Sequence, residues 1–105
     1  NRLLHREEIG VGEIQYCYCR KCKKETAHEV YVSKGGYLHS LCTMCGKDVG
    51  SSAQVKDICG VMAIECSSER VSRVHVKYLS KGNYIHWFCC SCGKDVSSAA
   101  KVRSC

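Results

Sequence analysis

Cys19-Arg20-Lys21-Cys22 and Cys42-Thr43-Met44-Cys45-Gly46 are two Cys-x-x-Cys motifs separated by nineteen residues. Each motif can turn two thiolates toward one metal ion, and the residues between them suffice for a hairpin that returns the second pair to the first. Four soft sulfur ligands in a tetrahedron suit Zn²⁺ and leave no open coordination position. We therefore predict a structural zinc site formed by Cys19, Cys22, Cys42 and Cys45.

The chain has 105 residues and eleven cysteines. Units of about 45–50 residues bury too little apolar surface to be stable alone and usually need a metal or disulfides. The paired spacing and the odd cysteine count favour zinc over a secreted disulfide scaffold, which is the competing interpretation. Metal-bound thiolates predict a reducing compartment: the cytoplasm or nucleus, or the host cytoplasm for a viral protein.

The charge is moderately basic, with sixteen Lys and Arg against ten Asp and Glu for a formal net charge of +6. This balance permits binding to nucleic acid or to an acidic partner without requiring either. No apolar run approaches the length of a membrane span.

Alternating apolar and polar residues predict a mostly-β chain of antiparallel hairpins. The strands predicted in the first half are Glu13–Tyr18, His28–Ser33, Tyr37–Leu41 and Val49–Ile58. Residues 1–12 are expected to form a short helix over Arg2–Ile9 or a loose arm.

The chain matches itself when it is displaced by 47 residues. Ser33-Lys34-Gly35-Gly36-Tyr37-Leu38-His39 aligns with Ser80-Lys81-Gly82-Asn83-Tyr84-Ile85-His86 without a gap. Cys42-Thr43-Met44-Cys45-Gly46-Lys47-Asp48-Val49 aligns with Cys89-Cys90-Ser91-Cys92-Gly93-Lys94-Asp95-Val96. An internal duplication explains this pattern and divides the chain into units 13–58 and 59–105.

The second unit lacks one of the four cysteines, because Cys22 aligns with Glu69. Cys66, Cys89 and Cys92 remain in register and predict a second, degenerate metal site. Glu69 is a candidate fourth ligand by position and His75 by ligand type. Other ligands such as His86, and a second unit without metal, stay open.

These motifs resemble the zinc-ribbon superfamily. The resemblance rests on Cys19-x-x-Cys22, the strand and turn from His28 to Gly36, and Cys42-x-x-Cys45-Gly46, and it covers most of residues 13–105. It implies two tandem ribbons, each a three-stranded antiparallel sheet whose cysteine loops hold one zinc. It also implies frequent contact with RNA, DNA or protein, but no single function.

Basic residues cluster around the cysteine motifs and could contact phosphates while aromatic side chains stack on bases. The candidates are Arg20, Lys21, Lys23, Lys24, Lys47 and Lys94. Solvated lysines over a thin tyrosine-rich core are the simpler interpretation.

Trp87-Phe88 replaces Ser40-Leu41 of the first unit, so the second unit has gained two large aromatics to bury. The other unit can cover them, or they form a partner surface, for example in a homodimer. Cys17, Cys59, Cys90 and Cys105 are spare cysteines, expected as buried apolar residues or reactive surface thiols.

The favoured function is a non-enzymatic zinc module that contacts nucleic acid, preferably RNA. The alternative is a protein-interaction or oligomerisation module of a larger or viral protein, in which zinc only maintains the fold. Cys90 with His75 or His86 is the one candidate pair of nucleophile and base in the sequence, and nothing orients it, so catalysis is not expected. No small-molecule substrate is expected either.

Overall fold

The computed structural model describes residues 13–105, which form seven antiparallel β-strands. The strands are β1 (Glu13–Cys19), β2 (Lys24–Val32), β3 (Tyr37–Cys42), β4 (Asp48–Glu65), β5 (Ser72–Ser80), β6 (Ile85–Cys89) and β7 (Asp95–Ser97). Each pairs with the next along the chain, in the order β1-β2-β3-β4-β5-β6-β7. The mostly-β antiparallel fold predicted from the sequence is therefore confirmed. The predicted arm or helix over residues 1–12 lies outside the described residues.

Alternation of buried and more exposed side chains explains why these segments are strands. In β2, the side chains of Thr26, His28 and Val30 are buried and their neighbours are not, as expected when successive side chains point to opposite faces. All four strands predicted in the first half are present. β2 begins earlier than predicted, at Lys24, because its first residues pair with the end of β1.

β4 is one continuous strand of eighteen residues that serves both halves of the chain. It pairs with β3 as far as Gln54 and with β5 from Val55 onward. A straight strand of that length would span about 60 Å, whereas the longest dimension of the molecule is 37 Å. β4 therefore bends, and register shifts occur at Val55/Asp57 and Ile58/Gly60. The predicted boundary between units 13–58 and 59–105 lies inside this strand.

The bend lets the two halves share one hydrophobic core. Its buried members come from both sides of the bend: Cys17, Val30, Leu38, Val55, Ile58, Val76, Tyr78, Phe88 and Cys90. β1 and β5, which are not paired in the sheet, also contact each other. Neither half encloses this core alone.

Equivalent hydrogen bonds recur at aligned positions of the two halves. The backbone N–H of Lys23 donates to Cys19 O at 2.7 Å, and that of Arg70 donates to Cys66 O at 2.7 Å. At the other end of the sheet, Leu38 N–H donates to Ser51 Oγ at 3.0 Å and Ile85 N–H donates to Ser98 Oγ at 3.1 Å. These aligned positions therefore make the same local contacts in both halves.

A disulfide joins Cys59 in β4 to Cys105. The expectation that these two cysteines are free is therefore wrong. Disulfides are rare in the reducing compartments predicted from the other cysteines, and the compartment stays a prediction. The described residues contain no helix long and apolar enough to cross a membrane.

Candidate metal centres

The first cluster consists of Cys19, Cys22, Cys42 and Cys45, whose sulfur atoms all lie within 4.8 Å of one another. Cys19 Sγ is 3.6 Å from Cys45 Sγ, and Cys22 Sγ is 3.8 Å from Cys42 Sγ. The ends of β1 and β3 carry Cys19 and Cys42, and the loops that follow carry the other two. The four residues predicted from the two motifs are thus brought together.

Tight turns aim these cysteines inward. Lys23 has φ of 60° and Gly46 has φ of 82°, so both loops close through a left-handed residue. Gly46 N–H donates to Cys42 O at 2.9 Å, which holds the second loop against the end of β3.

The thiols of the first cluster differ widely in pKa. Burial would raise the pKa of Cys42, but hydrogen bonds from the Thr26 hydroxyl and the Cys45 and Met44 backbone lower it to about 5. Desolvation and hydrogen bonds with the neighbouring thiols raise the pKa of Cys22 to about 12. Metal binding would displace the protons of these thiols, because the thiolate is the form that ligates metals.

The second cluster consists of Cys66, Cys89 and Cys92, whose sulfur atoms also lie within 4.8 Å of one another. Cys66 Sγ is 3.6 Å from Cys92 Sγ, the same separation as between the aligned Cys19 and Cys45. Burial would raise the pKa of Cys66, but the Ser68 hydroxyl and the Glu69 and Ser68 backbone lower it to about 7. In Cys89, burial dominates and raises the pKa to about 12.

The two predicted fourth ligands have other partners. Glu69 Oε1 accepts from Arg73 Nε at 2.9 Å, and Glu69 Oε2 lies 3.3 Å from Arg20 Nε. His75 Nδ1 donates to Arg73 O at 2.9 Å, as His28 Nδ1 does to Thr26 O at 3.0 Å. Among the residues described, the 4.8 Å group at this site holds the three cysteines and neither Glu69 nor His75.

Sequence reasoning missed Ser68. Its Oγ lies 3.3 Å from Cys66 Sγ and 3.4 Å from Cys92 Sγ, so a hydroxyl accompanies the three thiols. Serine is not among the residue types usually considered as zinc ligands. The signal in the sequence was only its position, inside the loop where the first unit has its second cysteine.

The donor sets and their spacing fit metal binding. Two sulfurs at about 2.3 Å from a tetrahedral zinc are about 3.8 Å apart, close to the 3.6 and 3.8 Å separations of the first cluster. Both clusters could therefore hold a metal ion. Four thiolates form a closed, structural site, and three leave one position for another donor.

The basic residues predicted to bind phosphates differ in their surroundings. Five are exposed: Lys21, Lys23, Lys24, Lys47 and Lys94. The sixth, Arg20, is paired with Glu69 of the second cysteine loop. Arg73 binds the same carboxylate and lies over the Tyr18 ring, 4.5 Å from its centroid. These contacts bring the first loops of the two clusters side by side.

Phe88 is fully buried in the shared core, and Trp87 beside it is half-buried. A buried side chain cannot face a partner, so the partner-surface interpretation does not fit Phe88. Trp87 lines a cavity of about 180 Å³ beside the second cluster, together with Cys66, His75 and Lys94. It remains a candidate for contact with another molecule.

The aligned histidines His39 and His86 contact carboxylates through Nδ1. His39 Nδ1 lies 3.0 Å from Asp48 Oδ1, and its ring stacks on Tyr31. His86 Nδ1 lies 2.7 Å from Asp95 Oδ1, where Tyr78 also donates to Asp95. These contacts fix the strands that carry the second cysteine loops.

The remaining spare cysteines, Cys17 and Cys90, are buried in the core as expected. A hydrogen bond with Cys17, together with burial, raises the pKa of Cys90 well above its ordinary value. Cys90 therefore has the character of an inert, packed thiol, whereas its hydrogen bond to Cys17 lowers the pKa of Cys17.

Comparisons with protein families, with curated proteins and with solved structures find no match to this chain.

Proposed function

We propose that this protein is a tandem zinc-ribbon module, derived by internal duplication, that binds single-stranded RNA through its cysteine loops. The zinc would be structural, and catalysis is no part of the proposal. The observation that carries it is the pairing of Arg20 with Glu69, at 3.3 Å between Nε and Oε2. This contact holds the first cysteine loops of the two halves side by side, so that lysines of both halves can contact the phosphates of one RNA strand.

The charge on these loops supports phosphate binding. Lys21, Lys23 and Lys24 are exposed on the first unit, and Lys94 is exposed after the second cluster. Exposed lysines neutralise phosphates and release counterions, which makes RNA affinity depend strongly on salt. Tyr78 and Phe88 are buried and cannot stack on RNA bases, so base stacking would fall to other aromatic side chains.

Fluorescence anisotropy with a labelled single-stranded RNA of about 16 nucleotides tests this function, since that length covers a typical single-strand site. We expect binding at low salt that weakens as salt rises. K21E/K23E should weaken binding at least about tenfold and reduce the slope of log K against log salt by about 1.4, or 0.7 per phosphate contact.

The matched control is K34E/K81E, which makes the same change in charge at the hairpin tips. Lys34 and Lys81 are exposed beyond the far ends of β2 and β5, away from the cysteine loops. This variant should bind RNA as the wild type does. Equal losses in both variants would mean attraction to net charge alone, and no binding at low salt would refute the RNA proposal.

A protein-interaction or oligomerisation module is the second candidate function. It is favoured by β1, an edge strand of the described sheet that exposes Ile14 by 50% and Tyr16 by 69%. An edge with exposed apolar side chains can pair with another strand. Analytical ultracentrifugation tests homodimers: a dimer that Y16K dissociates would support this function.

A further inference from the structure

The second cluster has a fourth polar atom next to two of its three sulfurs. Ser68 Oγ lies 3.3 Å from Cys66 Sγ and 3.4 Å from Cys92 Sγ, and those two sulfurs are 3.6 Å apart. The three atoms thus form a nearly regular triangle. Cys89 supplies the third sulfur of the group.

The lengths of this triangle match one face of a zinc tetrahedron. With Zn–S of about 2.3 Å and Zn–O of about 2.0–2.2 Å, a sulfur and an oxygen ligand are about 3.5–3.7 Å apart. The observed O–S distances of 3.3 and 3.4 Å fall within a few tenths of an ångström of that value. Movement of that size lies within the rotation of one exposed serine side chain.

The backbone explains how the hydroxyl reaches this position. The loop after Cys66 has the same closure as the loop after Cys19, with φ of 64° at Arg70 and 60° at Lys23. In the first loop, Cys22 turns inward to the metal position. In the second loop the aligned Glu69 is held by Arg20 and Arg73, and Ser68, one residue earlier, points at the sulfurs instead.

We propose that the hydroxyl oxygen of Ser68 is the fourth ligand of a zinc ion held by Cys66, Cys89 and Cys92. This inference rests on the metal-binding part of the proposed function and is independent of RNA binding. The second site is then a Cys₃Ser centre beside the Cys₄ centre of the first unit. It has one thiolate fewer and binds zinc more weakly than the first.

Cobalt substitution tests the assignment, because Co²⁺ takes the same tetrahedral position and reports its ligands. The full chain is loaded with one equivalent of zinc, which fills the stronger first site, and then titrated with Co²⁺. S68A should raise the dissociation constant of the second equivalent at least about tenfold. S68C should lower it and change the cobalt spectrum to that of four thiolates.

S67A is the matched control, because it makes the same serine-to-alanine change at Ser67, the exposed neighbour of Ser68. It should bind Co²⁺ as the wild type does. Circular dichroism establishes that each variant keeps its sheet, so that lost affinity is not lost folding.

Water labelled with ¹⁷O separates a serine ligand from a serine that only donates hydrogen bonds to the thiolates. If Ser68 is a ligand, the cobalt EPR signal of the wild type is not broadened by H₂¹⁷O, whereas that of S68A is. Broadening already in the wild type would overturn the proposal, as would an unchanged dissociation constant in S68A. Failure of both clusters to bind any metal would instead refute the proposed metal-binding function.

Discussion

Two aligned glycines have the same backbone conformation and different surroundings. Gly46 has φ of 82° and Gly93 has φ of 81°, so each closes a cysteine loop as a left-handed residue. An added Cβ at Gly46 would meet nothing within 4 Å, whereas at Gly93 it would lie 2.9 Å from Val49 Cβ. Only the second glycine permits close contact with the other half of the chain.

We therefore expect G46A to lower the free energy of unfolding by about 1–2 kcal/mol, the cost of a left-handed alanine. G93A should lose a further 1–3 kcal/mol or so from overpacking. Urea denaturation with excess zinc measures both. G93A/V49A should recover part of the additional loss, and equal losses in G46A and G93A would show that the Val49 contact does not matter.

Tyr78 is fully buried, and its hydroxyl donates to Asp95. Burial, reinforced by the carboxylate, raises the pKa of this phenol far above its ordinary value of 10. The unfolded chain releases this proton above pH 10 and the folded chain keeps it. The free energy of unfolding therefore falls as pH rises above 10, by up to about 1.4 kcal/mol per pH unit.

Phenolate absorbance measures this protonation. At pH 11 the folded wild type and Y78F should absorb equally, because Tyr78 stays protonated. After unfolding in denaturant, the wild type should show more phenolate absorbance than Y78F, by the amount expected for one tyrosine. A difference of one phenolate between the folded proteins would show that Tyr78 ionises in the native state.

The sequence predicted the cysteines of the two clusters but not the serine beside the second one. Cys-x-x-Cys spacing identified the four cysteines of the first cluster and Cys89 and Cys92 of the second, and the 47-residue repeat added Cys66. The fourth donor was sought among Glu69 and His75, because carboxylate and imidazole are commoner ligands than hydroxyl. Glu69 was instead engaged by Arg20, a contact between distant loops that periodicity does not reveal.

At the level of strands, β4 departs most from expectation. The sequence pattern predicted a strand that ends at Ile58, because Cys59 and Gly60 resemble a boundary between units. In the structure both residues lie within β4, at a register shift opposite β5. The repeat identified which segments are equivalent, but not that one strand joins them.

The Cys59–Cys105 disulfide ties this strand to a segment beyond β7. We expect C59S to lower the free energy of unfolding by about 2–4 kcal/mol, because the crosslink restricts the unfolded chain. Thermal unfolding with and without reductant measures the effect. C59S/C105S should be as stable as C59S. Reductant should destabilise the wild type but neither variant, because the variants lack the disulfide.

The whole molecule should unfold as one unit, because both halves share β4 and a core drawn from both sides of it. Trp87, the only tryptophan, reports the second half. C45A disrupts the first cluster, yet we expect it to lower the midpoint of Trp87 fluorescence and of far-UV circular dichroism together. A fluorescence midpoint that stays at the wild-type value would show that the halves unfold independently.

The order of the strands in the sheet, which is their order in the chain, also affects how the protein folds. Because every strand pairs with its neighbour in sequence, the ladder can grow stepwise during synthesis without closing long loops. The disulfide is the exception, since its partners are 46 residues apart. Because Cys105 follows all seven strands in the chain, we expect the disulfide to form late, after the sheet that it crosslinks.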